Sequence, residues 1–166
     1  MYRLRRMFAD DVPALTSLQT ECYGPEMQED EATIRDRFLL APDSAWVAED
    51  ENGVCAYLVG YPSAVGKVTP LNGLFNVVPN SDTLYLHDLS VANRCKGQGV
   101  GKALVQFACQ QAEADGCSYS ALVSVQGSRP FWERLGYAEW TGLDPVQQAN
   151  LSTYYGPSFY MVRKLL

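Results

Sequence analysis

Residues 84 to 104 read Leu84-Tyr-Leu-His-Asp-Leu-Ser-Val-Ala-Asn-Arg-Cys-Lys-Gly-Gln-Gly-Val-Gly-Lys-Ala-Leu104. The first half alternates as a strand does, which we place over Thr83 to Ala92, but the alternation changes phase. Leu84 and Leu86 share one parity, Leu89 and Val91 the other. A regular strand cannot hold all four on one face. An extra residue near His87-Asp88 reconciles them, and such a bulge kinks the strand, leaves a backbone N–H unpaired and re-aims the polar pair. The second half sets Gly97, Gly99 and Gly101 at the start of a helix expected over Val100 to Ala114, with Arg94, Lys96 and Lys102 around them. Glycines let backbone amides approach an anion with no Cβ in the way, and a helix N-terminus adds positive potential, so this turn suits a phosphate.

Spacing excludes two familiar nucleotide loops. A dinucleotide fingerprint starting at Gly97 needs glycine where Lys102 stands, and a Walker loop ending at Gly101-Lys102 needs glycine at Lys96 and a hydroxyl at Ala103. A plain strand-to-helix turn stays open as the blander reading.

Working outward, Tyr2 to Phe8 reads as a first strand, and Asp10 or Asp11 caps a helix in which Val12, Leu15, Leu18 and Cys22 recur at helical spacing. A second helix carries Ile34, Phe38 and Leu39 and stops before Pro42. Ala45 to Ala48 and Val54 to Tyr61 form paired strands around a Glu51-Asn52-Gly53 turn. The stretch from Tyr61 to Thr83 is broken by prolines and glycines, with a short helical turn expected at Leu71 to Phe75. Tyr119 to Val125 is a buried strand, Ser128 to Leu135 a short helix ended by Gly136, and Phe159 to Lys164 a closing strand.

The whole chain, 166 residues with 47% hydrophobic and 19% charged, has the composition of one globular unit over 1–166. Its net charge of -6 is the wrong sign for a nucleic-acid binder and leans toward a cationic small substrate. The five cysteines are odd in number and contain no Cys-x-x-Cys pair, so neither a disulfide framework, nor a zinc ribbon, nor any other metal site is expected. A reducing, cytoplasmic setting fits, since no signal peptide or membrane span is legible.

The glycine turn and its flanks give the sequence a resemblance to the GNAT superfamily of acyl-CoA-dependent N-acetyltransferases. The signature Gln/Arg-x-x-Gly-x-Gly/Ala falls on Lys96-Gly-Gln-Gly-Val-Gly101, with Lys96 replacing the usual first residue, and Leu89-Ser-Val91 precedes it at the end of a strand. Phe131-Trp-Glu-Arg-Leu-Gly-Tyr137 is similar to the family's following aromatic helix. The resemblance implies an α/β fold with a mixed, twisted sheet of about seven strands, helices on both faces, and a splay near Leu89. It implies acetyl-CoA as cosubstrate. The pyrophosphate would lie on the backbone of Gly97, Gln98, Gly99, Val100 and Gly101, beside Arg94, Lys96 and Lys102. The pantetheine would run along Leu89, Ser90 and Val91, and the Leu89 amide would act as oxyanion donor. The reaction would move an acetyl group to a primary amine of a small molecule or peptide by direct attack; nucleic acid and membrane are not expected partners, and a homodimer is one open form.

Two departures from the family leave a rival open, a non-catalytic acetyl-CoA-binding module: Trp132 stands where a thiolate-bonding Tyr is usual, and Val125 where an Asn is, with Gln126 next to it. As base, His87 comes first, being the sole histidine and beside Asp88, which either orients it or takes the proton itself. A histidine satisfied structurally by its neighbours is the competing reading. Tyr155, in the Ser152-Thr-Tyr-Tyr-Gly-Pro157 loop, is the candidate acid, with Tyr154 as fallback. Glu26 and Glu29, with Glu31, sit where the resemblance puts the acceptor, to bind a cationic amine or merely to start a helix.

Overall fold

The computed structural model describes residues 1–166. Strand β1 (Arg3–Arg6) leads into helices α1 (Val12–Cys22) and α2 (Glu31–Leu40), then strands β2 (Ala45–Asp50), β3 (Gly53–Ser63) and β4 (Thr83–Val91). Helix α3 (Val100–Ala114), β5 (Tyr119–Ser124), α4 (Arg129–Arg134), β6 (Ala138–Glu139), α5 (Pro145–Leu151) and β7 (Phe159–Lys164) complete the chain. The strands form one seven-stranded sheet in the order β1-β2-β3-β4-β5-β7-β6, antiparallel throughout except for the parallel pair β4–β5.

The chain differs locally from its sequence reading. The first strand is confined to Arg3–Arg6, because Met7 turns inward and a 3-10 turn follows at Ala9–Asp11. No helix forms over Leu71 to Phe75; a single turn closes there when the Gly73 amide donates to the Pro70 carbonyl at 2.9 Å. No helix is long and apolar enough to cross a membrane.

Helices cover both faces. Trp46 and Leu58 are cross-strand partners on the face under α3, where the Trp46 indole donates to Gln111 Oε1 at 2.9 Å. Tyr57 and Val59 point the other way, against Leu15 and Gln19 of α1 and Ile34 of α2. In α2 the buried residues are Ile34, Arg37 and Phe38, so a guanidinium interrupts the apolar face.

The phase change in β4 is a bulge. Asp88 pairs with Val59 while Leu86 pairs with Gly60, which leaves His87 as the extra residue. Leu84, Leu86, Leu89 and Val91 thereby all lie across from the β3 residues on the α3 face, as the alternation required. Gly60 lies opposite the distortion, where a Cβ would meet the Tyr85 carbonyl oxygen at 2.3 Å. Beyond the bulge the neighbouring strand departs. Pairing of β4 with β5 runs from Thr83–Tyr119 to Leu86–Leu122 and stops.

Candidate active site

The gap left between β4 and β5 is a cavity of about 220 Å³, walled by His87 to Val91 on one side, Val123, Val125 and Gln126 on the other, and Phe131 and Trp132 at one end. Because the Ala92 amide donates to the Cys55 carbonyl at 2.8 Å, strand alternation turns the backbone of Ser90 toward β3 and that of Leu89 and Val91 toward the gap. The carbonyls agree: Leu89 accepts from the Tyr23 hydroxyl at 3.1 Å and Val91 from Cys22 Sγ at 3.2 Å. That edge of β4 therefore has no strand beside it, its carbonyls being met by two side chains and its amides left for a further extended chain.

The glycine turn adjoins this edge. Gly97 and Gly99 have φ of 78° and 77°, the left-handed region in which any side chain is strained. The first amide engaged by α3 is that of Ala103, on the Gly99 carbonyl at 3.0 Å. The amides of Gly97, Gly99, Val100, Gly101 and Lys102 have no partner within the chain, whereas that of Gln98 is used on the Cys95 carbonyl at 3.4 Å. A cluster of free donors at a helix N-terminus fits a pyrophosphate. Of the three expected cations, Lys96 lines the cavity and Lys102 is exposed, but Arg94 is turned away into an ion pair with Asp50, Nε to Oδ2 at 2.9 Å.

The bulge places His87 and Asp88 on the same face, toward α1 and α2, and both border the gap. Asp88 is held by three donors, Gln19 Nε2 at 2.8 Å, the Tyr23 hydroxyl at 2.7 Å and the Tyr57 hydroxyl. Burial pushes its carboxyl above the ordinary aspartate range in spite of those donors and the nearby His87.

His87 is engaged differently. Its side chain is 4% exposed, and Nε2 sits 3.0 Å from Glu29 Oε1 and 2.6 Å from Arg37 Nη1. Nδ1 is buried and unpartnered. Arg37 bonds Glu29 at 2.6 Å and the Gly73 carbonyl at 2.7 Å, and Glu29 Oε2 accepts from the Asn72 amide at 2.8 Å. Burial lifts the Glu29 carboxyl, but His87 and Arg37 outweigh it together and hold it well below the usual range. Glu29 is thus already neutralised from within, and Glu26 is exposed and outside the gap. Glu31 pairs with Arg35 on the surface at 3.0 Å.

Tyr155 is 62% exposed and borders none of the cavities around the gap; Tyr154 lines a small pocket adjoining it, half-buried beside Val123, His87 and Asp88, with its hydroxyl donating to the Thr69 carbonyl at 2.7 Å. Residues that the sequence reading missed are Tyr23, Tyr57, Gln19 and Arg37. Gln19 and Arg37 carried a signal, each being a polar residue on the apolar stripe of its helix.

Fold and site together define an α/β domain with an open strand edge, a splayed parallel pair and a glycine turn of unpartnered amides before α3. Residues 12–137 match the acetyltransferase (GNAT) family, and the chain belongs to it. Over 105 residues, 63% of this chain, it is 34% identical to N-acetyltransferase family 8 member 2 of Rattus norvegicus. Over 53 residues, 32% of this chain, it is 36% identical to the glucosamine 6-phosphate N-acetyltransferase of Trypanosoma brucei brucei. The matches span 41% and 36% of those two proteins' lengths. In fold it is similar to the GphF GNAT-like decarboxylase in complex with isobutyryl-CoA, at a TM-score of 0.79 and 17% identity over 99% of this chain and 100% of that one. The ribosomal-protein-S18-alanine N-acetyltransferase of Escherichia coli gives 0.70 and 15%, over 99% and 94%.

Proposed function

We propose that this protein transfers an acetyl group from acetyl-CoA to a primary amine on a small molecule or peptide, by direct attack. The observation that carries the reading is the pairing of unpartnered amides at the glycine turn with the open edge of β4 where β5 departs. The first suits a pyrophosphate and the second an extended pantetheine amide chain. The N-acetyltransferase relatives and the solved structure with isobutyryl-CoA support it.

Acetyl-CoA supplies the activated acyl group as a thioester. The chain supplies position and proton handling. Lys96, Lys102 and the free amides hold the anionic end, and the Leu89 amide, on the edge that faces the gap, offers a hydrogen bond where negative charge develops on the carbonyl. The amine must give up a proton, and Asp88 suits that task better than His87. Its carboxyl borders the gap, is lifted above the ordinary aspartate range by burial and keeps acceptor capacity beyond its three donors, whereas His87 has Nε2 engaged by Glu29 and Arg37 and only a buried Nδ1 left. Tyr23, bonded to Asp88, is the phenol that borders the gap and the first candidate to give a proton to the departing sulfur, though burial holds it above the ordinary tyrosine range.

The test is release of free CoA thiol on mixing acetyl-CoA with a panel of primary amines. Amine-dependent release is expected. Asp88→Asn should lower turnover about 10²- to 10⁴-fold with acetyl-CoA affinity retained, and the wild-type rate should fall on acidification at a pH above that at which free aspartate titrates. Acetyl-CoA binding with no release for any amine would favour the non-catalytic module that Trp132 and Val125 suggest.

A further inference from the structure

Two buried thiols lie directly beneath the glycine turn, and nothing in the acyl-transfer reading uses them. Cys55 of β3 is 0% exposed and Cys95 4%, and their sulfurs, with an Asp50 carboxylate oxygen, lie within 4.8 Å of one another. Ala92 ties the two together, its amide donating to the Cys55 carbonyl at 2.8 Å and its carbonyl accepting from the Cys95 amide at 2.9 Å. Cys95 ends the 3-10 turn Asn93–Cys95, and Lys96 and Gly97 follow at once. Of the other thiols, Cys22 donates to the Val91 carbonyl and Cys109 pairs with the Tyr137 hydroxyl.

A metal is a poor occupant for this cluster. Arg94 bonds both oxygens of Asp50, at 2.9 and 3.1 Å, so a cation would have to displace a guanidinium.

We propose that Cys55 and Cys95 form a redox-active dithiol, which peroxide converts to a disulfide that weakens acetyl-CoA binding by pulling the glycine turn out of place. The chemistry balances with peroxide as the oxidant. Cys95 Sγ, which donates to Asp50 Oδ2 at 3.4 Å, attacks one peroxide oxygen while its proton passes to the other. The O–O bond breaks, a sulfenic acid forms on Cys95, and the other oxygen leaves as hydroxide and collects the proton as water. The Cys55 sulfur then attacks the Cys95 sulfur, the S–O bond breaks, and hydroxide departs with the Cys55 proton as a second water. The two thiols lose two electrons and the peroxide gains them. Cys95 goes first because it is the less buried, while burial pushes the Cys55 thiol up to about 12 and keeps it protonated until the sulfenic acid is present.

A disulfide requires the sulfurs about 2.05 Å apart. Cys55 is the extra residue of a bulge in β3, held between the laddered Val54 and Ala56 with its carbonyl bonded by Ala92, whereas Cys95 ends a three-residue 3-10 turn, so the turn carrying Cys95 is the part that moves. That movement pivots about Ala92 and carries Lys96 and Gly97, the first elements of the anion site, with it.

The dependence on acetyl-CoA rests on the proposed function, while bond formation does not, so the two are read separately. The protein is treated with hydrogen peroxide, desalted, and mapped by non-reducing peptide mass spectrometry; acetyl-CoA affinity is measured by calorimetry before oxidation, after it, and after dithiothreitol. The expected result is a linked 55–95 peptide, a Kd raised about tenfold, the effect of losing one charge-assisted hydrogen bond, and recovery on reduction. Cys55→Ser and Cys95→Ser should each abolish the linkage and the oxidant effect, and Cys117→Ser should leave both in place. Peptides that stay unlinked, or a linkage with unchanged Kd, overturns the proposal. Absence of any acetyl-CoA affinity in the reduced protein would instead defeat the acyl-transfer reading, and with it the switch, even where the disulfide forms.

Discussion

At the residue scale the site contains two carboxylates whose surroundings push them in opposite directions. Glu29 meets a guanidinium and an imidazole and is held ionised; Asp88 meets neutral donors in a buried setting and is lifted. Removing the Glu29 charge leaves Arg37, itself 2% exposed, without its counter-ion, and breaking such a buried pair costs about 3–5 kcal/mol. Glu29→Gln should therefore lower the free energy of unfolding by that amount at neutral pH, read as a lower urea midpoint with little change in slope. The sign with pH follows from the lowered carboxyl. Its contribution is fully present above the unfolded value of about 4.3 and is lost as pH falls toward the folded one. The gap in stability between wild type and variant should therefore narrow below about pH 4–5; a constant gap would mean that Glu29 acts through packing alone. Asp88 runs the other way, since a raised carboxyl contributes stability at low pH that is lost as pH rises through its folded value.

At the element scale the decisive feature is the one-residue insertion in β4, and it depends on a glycine in the partner strand. A methyl group at Gly60 would stand 2.3 Å from the Tyr85 carbonyl, so β3 and β4 could not approach as they do. Gly60→Ala should cost about 1–3 kcal/mol, in the range of other overpacked interiors, and should lower turnover by more than the loss of folded protein accounts for, because His87, Asp88 and the Leu89 amide all take their aim from that bulge. Unchanged activity and stability would show that the strands separate there without consequence. The bulge was legible from sequence because four apolar residues of conflicting parity had to share one face, and the glycine turn because glycines were concentrated before a strong apolar stripe. Other elements were not. Strand β6 is two residues long and exists only by pairing with β7, and α5 buries no residue, so it has no periodicity to read although Asp144 caps it and Pro145 opens it. The partners of Asp88 and His87 were hidden for another reason. They come from α1 and Tyr23 at its end, from Glu29, from α2 and from β3, and although Gln19 and Arg37 stand on apolar stripes, only the assembled fold shows which group each one meets.

At the scale of the molecule the sheet is two units joined by a short seam. The part from β1 to β4 and the part from β5 to β7 share a ladder only from Thr83–Tyr119 to Leu86–Leu122, and the cavity begins where that ladder ends. A ligand that fills the gap contacts β4 and the start of α3 on one side and β5 and α4 on the other, and so closes the seam along its unpaired length. Binding to the native state alone adds about 2.7 kcal/mol at a hundredfold excess over Kd, and for a chain of this size each kcal/mol is worth about 2–4 °C. Acetyl-CoA should accordingly raise Tm by about 5–11 °C. The share due to the glycine turn is separable: Gly99→Val strains a backbone at φ 77° with no atom within 4 Å of the new Cβ, so it distorts the donors without overfilling the interior. That variant should melt several degrees below wild type when free, from about 1–3 kcal/mol of backbone strain, and should gain little further from acetyl-CoA. ATP, which carries phosphates but no pantetheine to lie along the open edge of β4, should shift wild type far less than acetyl-CoA does. Equal shifts from the two ligands would mean that the turn recognises phosphate alone and that the gap between the strands plays no part in binding.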